Sequence, residues 1–323
     1  MDFARIANKL LLLLGLLLGG CLIACQPQTP NQPDFQVLAV ESFLADIAQN
    51  VAGDRVKVDT LMPKGVDPHT FEPTPRDVAK IAESDVLILN GAGLEAWLDE
   101  TLQNAGGQRV LVEAASGLSS RTAHGDEPVA HDFEGDKAPE SEAEHAREGD
   151  PHFWLNPLNV ITYVENIREG LSAADPAGKA IYTQNAAAYI EQLKALDQWI
   201  QSQVAQVPAE RRLIVTNHES FGYFADRYGF KVIGAIIPSV SAGASPSAQQ
   251  MARLVDQIRS AGVTVIFLET GTNPQLAEQI AQETGIRVIS DLYTHSLSQE
   301  GGNAPTYIDM MKYNVRLIVE TLK

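Results

Sequence analysis

Two of the seven histidines lie in the same short motif. His69 follows Asp67-Pro68, and His152 follows Asp150-Pro151. Proline fixes its own φ and favours an extended conformation in the residue before it. Each histidine therefore follows a stiff turn, which lowers the entropy cost of holding its imidazole in one place. Because imidazole is a common metal ligand, the repeated motif predicts that both histidines belong to a metal site.

Two further candidate ligands come from the second half of the chain. His218 directly follows the apolar run RLIVTN, and Asp291 directly follows RVIS. A single histidine is more simply explained as a turn cap or as the partner of a carboxylate. Three imidazoles and one carboxylate after predicted strands instead suit one tetrahedral Zn²⁺ ion, with bonds of about 2.0–2.2 Å, whereas Mg²⁺ and Ca²⁺ prefer oxygen. The predicted metal ligands are His69, His152, His218 and Asp291.

The segments around these residues alternate between short β-branched runs and longer helical patterns. This alternation predicts an α/β fold of two lobes, each a mostly parallel sheet flanked by helices. We expect an N-terminal lobe over residues 35–175 and a C-terminal lobe over residues 208–323. One long helix over residues 176–207, about 45 Å at 1.5 Å per residue, would join them. Ligands of such sheets bind at the carboxyl ends of the strands, so we expect the metal site in the inter-lobe cleft.

The N-terminus has the composition of a targeting segment. Two cations precede an apolar run that is shorter than the roughly 20 residues of a membrane-spanning helix. Residues 1–24 are therefore predicted to be a lipoprotein signal peptide. The sequences before Cys21 and Cys25 resemble bacterial lipoboxes, in which the cysteine is lipidated. We favour Cys25, because a polar, proline-rich tether over residues 25–34 follows it; an uncleaved anchor and a plain secretory signal are the alternatives.

Charge and cysteine content limit the classes of function. The formal net charge is −17, which disfavours a nucleic acid as partner and favours a cation. The two cysteines both lie at the end of the predicted signal peptide, so the body of the protein has no disulfide framework.

An acidic segment over residues 121–149 interrupts the first lobe. It is polar, lacks hydrophobic periodicity, and is typical of a disordered surface loop. Its three histidines have spacings that define no coordination geometry, so they either belong to a solvated linker or gather zinc weakly as a secondary site. These residues are His124, His131 and His145.

Two motifs suggest other functions. GAGLEA at residues 91–96 resembles a dinucleotide fingerprint, but Glu95 would bring a second negative charge to the pyrophosphate. A glycine-rich turn is the better interpretation. HESFG at residues 218–222 lacks the second histidine of the zincin motif, although Glu219 could act as a general base on a metal-bound water. An exported zinc-dependent hydrolase is therefore the enzyme alternative.

Several motifs in order resemble the metal-binding solute-binding proteins of bacterial ABC transporters. They are GVDPHTFEPTPRD, NGAGLEAWL, DPHFWLNP, TNHESFGYFADRYG and IFLETGTNPQLAEQIAQETGI, and the resemblance runs from about Phe35 to the end of the chain. It implies a receptor without catalysis of its own, which holds its metal with His69, His152, His218 and Asp291. It also implies delivery to a membrane permease with a cytoplasmic ATPase, by a lipid-anchored monomer at the outer face of the cytoplasmic membrane or in the periplasm.

The residue at position 218 bears on the choice of metal. Manganese members of the family commonly carry glutamate at the matching place, whereas this chain has His218. The resemblance is therefore to the zinc branch, and the acidic segment with histidines agrees with it. Some members with histidine at this place are thought to take manganese as well, so a manganese or mixed receptor is the alternative.

Overall fold

The computed structural model describes residues 35–121, 149–237 and 245–323. Within these ranges no helix is both long and apolar enough to cross a membrane. The predicted signal peptide, the tether, both candidate lipidation sites and the three histidines of the acidic segment lie outside the described residues. These positions are Cys21, Cys25, His124, His131 and His145.

The first half of the chain forms a four-stranded parallel sheet with the order β2-β1-β3-β4. Its strands are β1 (Val37–Ala39), β2 (Val58–Thr60), β3 (Val86–Leu89) and β4 (Val110–Glu113). The helices of this half are α1 (Ser42–Ala52), α2 (Pro75–Glu83), α3 (Leu98–Ala105) and α4 (Asn159–Ala174). Apolar side chains of the strands and helices pack together on the sheet, as the predicted α/β lobe requires.

The second half repeats this topology in a sheet with the order β6-β5-β7-β8, again with parallel pairing. Its strands are β5 (Leu213–His218), β6 (Lys231–Ile237), β7 (Val265–Glu269) and β8 (Arg287–Leu292). Helix α5 (Lys179–Val204) connects the halves, and α6 (Gly222–Tyr228), α7 (Ala248–Ala261), α8 (Gln275–Thr284) and α9 (Tyr307–Leu322) follow. The predicted fold of two parallel-sheet lobes with a long connecting helix is confirmed.

Local sequence accounts for several helix boundaries. The hydroxyl of Thr74 accepts the backbone N–H of Asp77, whose carboxylate accepts the backbone N–H of Thr74, so a capping box begins α2. Ser247 and Gln250 make the same reciprocal pair at the start of α7. Gly262 ends α7 in a left-handed conformation that glycine adopts without steric cost.

The closing helix also joins the two halves. Helix α9 packs against α5 and α1. The backbone N–H of Tyr307 donates to Asp46, and the Tyr307 hydroxyl donates to the carbonyl oxygen of Trp154. The last helix of the chain therefore contacts the first lobe, in addition to the predicted connection through α5.

Two glutamates are buried together in the first lobe. Glu41 follows β1, and neither of its carboxyl oxygens has a hydrogen-bond partner among the described residues. Burial and the negative charge of Glu95 raise the pKa of Glu41 well above its usual value. Burial also raises the pKa of Glu95 to about 7, although the backbone N–H groups of Asn90 and Gly91 donate to its carboxylate. We infer that Glu95 is the carboxylate of the pair and that Glu41 holds the proton.

Relative to the wild type, the metal-free Glu41→Gln protein is expected to gain stability as pH rises from 5 to 8. The folded Glu41 keeps a proton that the unfolded chain loses near pH 4.5, so its contribution to stability falls as pH rises above that value. Glutamine stays neutral in both the folded and the unfolded state. Urea unfolding at pH 5 and pH 8 checks this, with the exposed Glu165→Gln as the matched control. An equal effect of Glu41→Gln at both pH values would contradict a protonated Glu41 in the folded protein.

Candidate metal centre

Four histidine side chains, two from each lobe, converge at one place. His69, His152, His218 and His295 each offer a ring nitrogen, and these nitrogens all lie within 4.8 Å of one another. The Nε2 atom of His152 is 3.2 Å from the Nε2 atom of each of the other three. His69 is partly buried, and the other three are buried. The cluster therefore has the size and composition of a metal site.

The repeated motif of the sequence forms the same hydrogen bond at both positions. The backbone N–H of His69 donates to Asp67 Oδ1 at 2.9 Å, and that of His152 donates to Asp150 Oδ1 at 3.0 Å. Both histidines lie at short 3₁₀ turns beyond strands of the first lobe. The aspartates thus fix the turn that presents each imidazole, which gives the motif its structural role.

The second lobe supplies the other two imidazoles. His218 is the last residue of β5, and His295 follows β8. The carboxyl ends of strands from both sheets therefore point to one place, as expected for ligand sites in parallel sheets.

Asp291 is not part of the cluster. It is an exposed residue within β8, and the strand continues to Leu292 before the chain brings His295 to the site. The prediction ended the strand too early and chose the first ligand-type side chain after it. The sequence did contain a signal for the fourth ligand. Besides His69, His152 and His218, His295 is the one further histidine outside the acidic segment.

Two carboxylates lie beside the Nδ1 atoms of the buried imidazoles. Asp150 Oδ1 lies 2.8 Å from His152 Nδ1, and Glu269 Oε1 lies 2.6 Å from His218 Nδ1. An imidazole that binds metal through Nε2 carries its hydrogen on Nδ1, where an ionised carboxylate can accept it. Facing lone pairs repel one another unless a cation lies between them. A tetrahedron with metal–nitrogen bonds of about 2.0–2.1 Å has edges of about 3.3–3.4 Å, close to the nitrogen separations around His152.

The electrostatics of the cluster favour neutral imidazoles in the first lobe. Burial, followed by the proximity of His295 and His218, lowers the pKa of His69 to about 2. Burial and the neighbouring imidazoles likewise lower the pKa of His152 well below its usual value. Burial opposes protonation of His218 too, but the carboxylate of Glu269 outweighs it and raises the pKa. His69 and His152 are therefore available as neutral ligands at neutral pH.

The two competing motifs have structural explanations. In the glycine-rich turn at residues 91–96, the carboxylate of Glu95 itself accepts the backbone N–H groups of Asn90 and Gly91. The chain's own carboxylate thus occupies the donors that a pyrophosphate would need. Glu219 is not among the clustered side chains, and four imidazoles would complete a tetrahedral shell, whereas a catalytic zinc needs an open position for water.

Comparison with known proteins identifies the family. Residues 37–321 match the model of the ZnuA family, described as zinc-uptake complex component A, periplasmic. The chain belongs to this family. Its periplasmic description confirms the predicted export, and the predicted resemblance to metal-binding solute-binding proteins is confirmed at the level of the family.

Individual relatives differ in the metal that they are named for. The manganese ABC transporter substrate-binding lipoprotein PsaA of Streptococcus pneumoniae is 32% identical over 327 residues, covering 98% of this chain and 99% of that protein. The Mn-bound periplasmic metal binding protein from Candidatus Liberibacter asiaticus has a TM-score of 0.75 at 30% identity, covering 90% of this chain and 100% of that one. The periplasmic zinc binding protein TroA from Treponema pallidum also has a TM-score of 0.75, at 27% identity, covering 90% and 99%. All three are named as binding proteins, and family membership alone does not select the metal.

Proposed function

We propose that this member of the ZnuA family is the receptor of a zinc ABC importer. It captures Zn²⁺ with His69, His152, His218 and His295 and passes the ion to a membrane permease driven by a cytoplasmic ATPase. The observation that carries the choice of zinc is the all-imidazole cluster with nitrogen separations of 3.2 Å around His152. Imidazole nitrogen suits Zn²⁺, whereas Mn²⁺ favours carboxylate oxygen.

A manganese or mixed-metal receptor is the second candidate. PsaA, which covers nearly the whole chain, is named for manganese, and TroA is named for zinc. The fourth clustered side chain is His295, where Asp291 had been predicted. A cluster of four imidazoles without a carboxylate oxygen argues against manganese. The exported hydrolase lacks support, since the relatives are named as binding proteins and the clustered ligands leave no position for water.

The lipid anchor completes the proposal. PsaA is named as a lipoprotein, which agrees with lipidation of Cys25, or of Cys21, at the outer face of the cytoplasmic membrane or in the periplasm. A tethered monomer would remain close to its permease while it exchanges metal. Any zinc held by His124, His131 and His145 would be secondary and weak.

Purified protein is expected to hold one tightly bound Zn²⁺ and to prefer it to Mn²⁺ in direct competition. A variant lacking residues 122–148 should keep this site, because all four clustered histidines lie outside the deleted segment. Elemental analysis and competition calorimetry on both proteins check this. Preferential binding of Mn²⁺ by the intact protein would support the second candidate, and loss of tight binding on deletion would place a ligand in the acidic segment.

A further inference from the structure

A single carboxylate contacts both imidazoles of the second lobe. Glu269 is the last residue of β7 and is buried. Its Oε1 atom lies 2.6 Å from His218 Nδ1, and its Oε2 atom lies 3.3 Å from His295 Nδ1, which the Thr294 hydroxyl also approaches at 3.1 Å. The two rings are stacked, with centroids 5.0 Å apart and planes inclined by 26°. One side chain therefore faces two imidazoles at once, with one oxygen for each.

The first lobe supports its imidazoles differently. His152 Nδ1 lies 2.8 Å from Asp150 Oδ1, and the other carboxylate oxygen of Asp150 lies 3.5 Å from Arg121 Nη1. Asp150 thus serves one imidazole and one cation. The pairing of two imidazoles on one carboxylate is a property of the second lobe's half of the site.

Local structure explains how Glu269 reaches both rings. The pairing of β7 with β8 shifts register between Leu268 and Glu269. Such irregularities turn a side chain away from the direction that regular pleating would give it. The hydroxyl of Ser220 also lies within 3.4 Å of Oε1 as a donor. The end of β7 is therefore built to aim this carboxylate at the cluster.

We propose that Glu269 is a positioning residue that fixes the tautomer and ring orientation of both His218 and His295, and thereby sets the number of nitrogens available to the metal. This inference rests on the proposed metal-binding function. Each imidazole that binds metal through Nε2 carries its hydrogen on Nδ1, so the two rings present two donors. A carboxylate offers an acceptor to each of them.

Glutamine has the same shape but only one acceptor, since its amide nitrogen is a donor. In Glu269→Gln, the amide can satisfy one Nδ1–H group and must present a donor to the other. One imidazole would then rotate away or change tautomer, and its Nε2 lone pair would be lost to the metal. The substitution therefore separates hydrogen-bond pairing from side-chain size.

The test compares full-length wild type and Glu269→Gln, loaded with Zn²⁺ for affinity and with Co²⁺ for visible absorption. We expect Zn²⁺ affinity to fall about 10–100-fold, as for loss of other groups that orient metal-bound histidines. The intense Co²⁺ bands of a tetrahedral site should weaken as coordination changes. Glu278→Gln, the same substitution at an exposed position of α8, is the matched control and should retain the wild-type spectrum.

A double-mutant comparison shows whether Glu269 acts through the imidazoles. In a His295→Ala background only one Nδ1–H donor remains, so Glu269→Gln should have a smaller effect than in the wild type. An undiminished effect there, or wild-type affinity and spectrum for Glu269→Gln alone, would overturn the proposal.

Nuclear magnetic resonance of the zinc-loaded wild type provides a measurement that needs no variant. If each Nδ1–H group donates to the carboxylate in the zinc-loaded protein, both protons should be downfield and slowly exchanging. Exposure of either proton to rapid exchange would count against the shared carboxylate. Absence of a tight metal site in the wild type would instead refute the proposed function itself, so the two failures are distinguishable.

Discussion

His152→Ala is expected to weaken zinc binding by a factor of about 10²–10³. The free energy of a four-ligand structural zinc site, about 10–16 kcal/mol, corresponds to roughly 2.5–4 kcal/mol per ligand. His152 is fully buried, and its Nε2 atom lies 3.2 Å from those of the other three histidines. Calorimetric competition against a chelator of known affinity measures the loss.

The control for this prediction must separate ligand loss from damage to the core. His69→Ala removes a ligand from a short 3₁₀ turn and a partly exposed position, so it should disturb packing less. Both variants should show weakened zinc binding while their metal-free forms unfold cooperatively. If each of the two single variants, His69→Ala and His152→Ala, kept the wild-type affinity for zinc, the four-histidine site would be refuted.

His218→Glu is expected to lower the preference for Zn²⁺ over Mn²⁺ by at least about tenfold, equivalent to 1.4 kcal/mol. The substitution replaces a nitrogen ligand with a carboxylate oxygen, which Mn²⁺ favours. It also places a second carboxylate beside Glu269, where His218 Nδ1 now lies 2.6 Å from Oε1. A bound cation would relieve the repulsion between the two carboxylates, so the metal-free variant should lose stability.

His218→Gln is the matched control for the change of metal preference. It removes the imidazole without adding negative charge, so it should weaken Zn²⁺ binding without an equal gain for Mn²⁺. Competition calorimetry with both ions on the three proteins gives the comparison. Unchanged Zn²⁺/Mn²⁺ selectivity in His218→Glu would show that this position does not select the metal.

Much of the architecture follows from local sequence. The alternation of buried β-branched runs with helical patterns predicted the parallel sheets, because strands covered by helices on both faces are apolar along their length. Capping residues such as Thr74 and Ser247 begin helices through local contacts, since their hydroxyls accept N–H groups within the same turn. The contacts of α9 with α1 and α5 had no such local signal, because they depend on packing between distant segments.

The site divides in the same way. The sequence by itself determined that His69 and His152 follow rigid turns, because each Asp-Pro-His motif contains the acceptor for its own histidine N–H. It also placed His218 at a strand end. Only the tertiary structure decided that His295 rather than Asp291 joins them, and that Glu269 faces two imidazoles. Those choices depend on where β8 ends and on the register of β7 against it, which pairing between separate strands determines and no short stretch of sequence encodes.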